Sequence, residues 1–80
     1  MEIDTNLESR LTAQRIADAA RQRILQQPHL AMQRIWCEFQ AGRLFLRGQV
    51  PRFYHKQLAQ EAVVGLEGVC QVVNEIEVVW

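Results

Sequence analysis

The stretch GRLFLRGQVPRFYHK, residues 42–56, decides the fold. Its first half alternates, with Leu44, Leu46 and Val50 on one face and Arg43, Phe45 and Arg47 on the other, the two-residue period of a strand. Just upstream, Arg34-Ile-Trp-Cys-Glu-Phe39 keeps the same period, with Ile35, Cys37 and Phe39 together. A turn centred on Ala41-Gly42 joins the two into a hairpin. Any symmetric loop there pairs Phe39 with Leu44, Cys37 with Leu46 and Ile35 with Gly48, so the apolar faces coincide. Alanine is a poor first residue for a two-residue primed turn, so a longer tip is expected.

Outside the hairpin the period changes. From Thr12 to Gln27, Ala13, Ile16, Ala17, Ala20 and Ile24 recur at three and four, one face of a helix that Pro28 ends. Thr5 with Glu8 reads as a capping box, with Ser9 and Thr12 as later starts. An early start adds a second stripe of Leu7, Leu11 and Leu25. Downstream, Val50-Pro51 is expected to open a second helix, with proline at the first helical position, buried along Leu58, Ala59, Ala62 and Leu66 and closed by Gly65 or Gly68. Val69 to Trp80 reads as a third strand, with Ile76 and Val78 on one side and Glu75 and Glu77 on the other. The expected fold class is α+β: αββαβ, a three-stranded sheet covered on one face by two helices.

Eighty residues, 49% of them apolar, suffice for one small core without metals or crosslinks. Residues 1–11 read as an extension or helix start and 12–80 as the single domain. The zero net charge is segregated: all nine bases fall in residues 10–56, against Asp18 and Glu38, and the flanks are acidic. The N-terminus has neither a basic nor an apolar region of signal-peptide type, and no apolar run approaches the ~20 residues that span a bilayer. A cytoplasmic protein is expected, with Cys37 and Cys70 reduced.

The ordered set GRLFLRGQV, QLAQEA and GVCQVVNEIEV resembles the BON domain, the bacterial module named for osmotic-shock and nodulation proteins. The residues that carry the resemblance are Gly42, Leu44, Leu46, Gly48, Val50, Leu58, Ala59, Ala62, Gly68, Val69, Val72, Asn74, Ile76 and Val78, across residues 33–79. It implies an αββαβ fold and a non-enzymatic role in binding phospholipid membranes or other envelope components. This chain departs from the family in the aromatic and arginine content of its hairpin.

The sheet face away from the helices is the first candidate site. Trp36 is expected opposite Arg47, as a cation–π pair, and Glu38 opposite Phe45, with Arg34 and Arg43 at the edges. With Val73 and Val79 these residues form an apolar patch rimmed by charge, suited to a homodimer or a protein partner; the plain alternative is a solvated face held by cross-strand pairs. A second candidate, for anionic phospholipid, is Arg47, Arg52, Phe53, Tyr54 and Lys56, the alternative being that Phe53 or Tyr54 packs on the sheet edge. Nucleic acid is disfavoured, since Gly65-Leu-Glu-Gly68 places a glutamate where a phosphate would approach. No cofactor, metal or catalytic residue is expected: His29 and His55 lack ligand spacing, and neither cysteine has an evident base.

Overall fold

The computed structural model describes residues 5–79, and for Thr5 and Asn6 the backbone alone. The capping-box reading of Thr5 and the end of the third strand at Trp80 lie outside what is described. Helix α1 (Thr5–Leu25) starts early and buries the anticipated stripe, with Ala20 and Ile24 sealed and Ala13, Ile16 and Ala17 half-buried. It closes through Gln27 N–H donating to Ile24 O, just before Pro28. A 3-10 turn, Leu30–Arg34, follows and drives Met32 into the core. Five residues are too few to show a period, so the sequence gives no sign of this turn.

Strands β1 (Ile35–Gln40) and β2 (Arg43–Val50) pair antiparallel in the anticipated register, from Ile35 opposite Gly48 to Gln40 opposite Arg43. The tip is shorter than expected. Ala41 (φ 51°) and Gly42 (φ 81°) form a two-residue turn, because the two apolar faces fix the register and leave only these residues to close it.

Helix α2 (Phe53–Ala62) begins two residues after Pro51, with Arg52 as its N-cap, so proline stands before the helix and not at its first position. Val50 is still bonded in the sheet, and Pro51 and Arg52 make the bend out of it. The buried stripe is His55, Ala59 and Val63, flanked by Leu58, Ala62 and Leu66. The expected stripe of Leu58, Ala59, Ala62 and Leu66 thus faces the core, widened by His55, an imidazole that a purely apolar reading passes over. Gly65 (φ 77°) and Gly68 (φ 90°) reverse the chain after the helix.

The third strand is interrupted. β3 (Gln71–Asn74) and β4 (Glu77–Val78) both run parallel to β2, in one continuous register from Arg43 opposite Gln71 to Val50 opposite Val78. Between them, Ile76 N–H donates to Asn74 Oδ1 (3.2 Å), while Asn74 Nδ2 donates to Lys56 O (3.0 Å) and Gln60 Oε1 (3.1 Å) of α2. One asparagine thus satisfies an amide that faces away from β2 and ties the strand to the helix. β2 is the middle of the sheet, and Leu44, Leu46, Val50 and Ile76 pack from it against Ile24, Ala59 and Val63. Among the described residues, no element covers the opposite face.

Candidate functional site

Alternation sends Trp36, Glu38 and Gln40 of β1, Arg43, Phe45, Arg47 and Gln49 of β2, and Gln71, Val73, Glu75 and Glu77 of the third strand to the open face. Arg47 is its hub. Its Nη1 donates to Glu38 Oε2 (2.8 Å), its Nε donates to Glu75 Oε1 (3.2 Å), and its guanidinium lies 5.2 Å from the centre of the Phe45 ring. The hydrogen bond to Glu75, with the charges of both carboxylates, holds the Arg47 proton more firmly than usual. Arg43 approaches the same ring at 5.8 Å.

The expected stacking of Arg47 on Trp36 is therefore corrected: the cation lies on Phe45. Carboxylates on the two flanking strands hold the guanidinium over the central strand, and Trp36 is left 50% exposed. Beside it opens a shallow cleft of about 850 Å³ lined by Arg34, Trp36, Arg47, Gly48, Gln49, Glu75 and Glu77. Arg34, Trp36 and Arg47 thus come together as anticipated, while Arg43, Phe45, Val73 and Val79 lie outside the cleft wall. Phe45 and Val73 are register partners at mid-sheet, and Val79 follows the end of β4. Gln49, whose Nε2 donates to Glu77 Oε2 (3.3 Å), is a wall residue that the period-two pattern of β2 already signals.

The second set divides as well. Arg47 is committed to the sheet network, whereas Arg52, Phe53, Tyr54 and Lys56 sit on the first turn of α2 and its cap. Phe53 is 60% and Tyr54 55% exposed, so neither packs away on the sheet edge. The His29 ring meets Tyr54 edge-on at 5.7 Å and His55 at 5.3 Å, which brings Leu30, 82% exposed, to the same end of the molecule. His55 Nδ1 is buried without a hydrogen-bond partner.

Cys37 and Cys70 are free thiols. Cys37 packs against the core, and burial pushes it up from 9.0 to about 11, against the opposing charge of Arg21. A thiol whose folded value is raised contributes stability that is intact below its unfolded value and lost as pH climbs through the folded one. The stability gap between wild type and Cys37→Ala should therefore shrink between pH 9 and about 11 in urea titrations; a gap constant across that window would contradict the assignment.

Among the described residues, no helix is long and apolar enough to cross a membrane, and no three His, Cys, Asp or Glu side chains gather as a metal site. The family model described as the BON domain matches residues 4–79, nearly the whole chain. No curated protein matches it.

Proposed function

The chain belongs to the BON domain family, whose members are binding modules, and from that membership we propose that it binds without catalysis through its uncovered sheet face, first of all to a second copy of itself. The observation that carries this reading is Trp36, half exposed over a cleft on a face that no element among the described residues covers. Aromatic side chains in this setting are the usual anchors of protein interfaces, because they release much apolar area for few frozen rotors. Charge supports a self-complementary surface. Arg34, Arg43 and Arg47 share the face with Glu38, Glu75 and Glu77, so a two-fold axis can set each sign against the other. The same balance speaks against a polyanion on this face.

Sedimentation equilibrium tests the reading. Association of the wild-type chain should weaken by ~2 kcal/mol or more in Trp36→Ala, the usual loss at an interface anchor, with folding intact by circular dichroism. A monomer at every concentration, or a dimer indifferent to the substitution, would reject it.

A second reading, peripheral binding to anionic phospholipid, is favoured by one observation: Leu30, Phe53 and Tyr54 are exposed at one end beside Arg52 and Lys56. The sequence from 39 to 60 contains no acid to repel a head group. Co-sedimentation with phosphatidylglycerol vesicles that is lost in an Arg52→Glu, Lys56→Glu variant and kept in Trp36→Ala would support this reading in place of the first.

A further inference from the structure

Strand β1 is an edge strand, and its backbone polarity can be read from its neighbour. The carbonyls of Gly42, Leu46 and Val50 accept from Cys70 (2.7 Å), Glu75 (2.9 Å) and Val79 (2.8 Å), so the even residues of β2 turn toward the third strand. Backbone direction alternates, which leaves Arg43, Phe45 and Arg47 to bond Gln40, Glu38 and Trp36 of β1. The N–H and C=O of Cys37 and Phe39 then point out of the sheet. So does the C=O of Ile35, whose N–H donates to Met32 O.

A groove of about 370 Å³ runs along this edge. One wall is Arg10, Ala13, Gln14 and Ala17 of α1, and the other is Cys37 to Gln40. Consecutive residues of a strand point to opposite faces, so a groove that touches all four follows the backbone itself. The edge also lacks the usual protections. The segment IWCEFQ contains no lysine, proline or bulge, whereas the opposite edge is broken at Glu75 and Ile76.

We propose that this groove receives an extended segment of a partner protein, which adds to β1 as a further strand. A row of outward backbone groups between two side-chain walls is matched by another backbone, and the small side chains of Ala13 and Ala17 leave room for apolar residues at alternate positions of the guest. The guest is not β1 of a second copy. α1 packs chiefly on β1, and strands pair about 4.8 Å apart, so a second copy would bring its own α1 closer than the 8–10 Å that packed helices require. The partner strand is therefore bare on its helix side. Arg10 and Gln14 on one rim, with Glu38 and Gln40 on the other, suit polar residues at its intervening positions.

Random peptides displayed on phage and selected against the full chain test this. Enriched peptides should alternate apolar and polar residues, shift the amide signals of Cys37 and Phe39, bind at least about tenfold more weakly to Ala13→Arg, and lose affinity when every second amide is N-methylated while tolerating methylation of the others. They should bind Trp36→Ala unchanged, which separates this site from the open face. Failure to enrich any peptide, or peptides that ignore Ala13→Arg and the methylation pattern, would overturn the proposal.

Discussion

Gly48→Ala is expected to destabilise the domain by about 3 kcal/mol, measured by urea denaturation. Gly48 lies opposite Ile35, where the 3-10 turn enters the sheet, and its φ of 142° is one that side chains resist. A Cβ placed there would stand 2.2 Å from the carbonyl oxygen of Arg34 and 3.1 Å from Cα of Ile35. Both obstacles are backbone, so no rotamer relieves them. Relief requires β1 to move off β2, which also shifts Trp36 and the cleft. Wild-type stability in the alanine variant would show that the approach is looser than described.

The second large effect belongs to Leu46. It is fully buried at the centre of β2, opposite Cys37 on one side and Asn74 on the other, and it packs in the cluster that joins the sheet to both helices. Leu46→Ala should cost about 3–4 kcal/mol, the transfer free energy of the lost atoms together with the cavity they leave. A domain of this size has only ~5 kcal/mol to lose, so the variant keeps about 1–2 kcal/mol and its thermal midpoint by circular dichroism should fall by roughly 12–32 °C. Leu46→Met nearly conserves volume and should cost less than about 1.5 kcal/mol. Equal losses in the two variants would place the importance of Leu46 somewhere other than packing.

The register of the hairpin was legible residue by residue, though not its two-residue tip, because two period-two runs about one turn admit few registers once their apolar faces must coincide. The stripe of α1 was legible for the same reason. Three features were not. Met32 enters the core from a turn too short to display a period. The buried face of α2 extends beyond its apolar stripe, because the half-apolar imidazole of His55 serves as a core group there. The third strand is interrupted beside Asn74, whose side chain accepts from Ile76 and donates to α2, contacts invisible in alternation alone. The candidate site shows the same boundary. Period two placed Arg47, Phe45 and Trp36 on the open face, but the choice of Phe45 over Trp36 as the seat of Arg47 depends on Glu75, which only the third strand brings alongside. Exposure of Phe53 and Tyr54 follows from the late start of α2, after the bend at Pro51.

The most direct measurement is the amide and indole spectrum of the isotope-labelled chain from dilute to concentrated solution. Association through the open face predicts shifts concentrated at Arg34, Trp36, Arg47, Gln49, Glu75 and Glu77, with the Trp36 indole among the largest, and their disappearance from the remaining residues in Trp36→Ala. Spectra that do not change with concentration, or changes gathered at Arg52 to Lys56 instead, would contradict the assignment of the open sheet face as the self-binding surface.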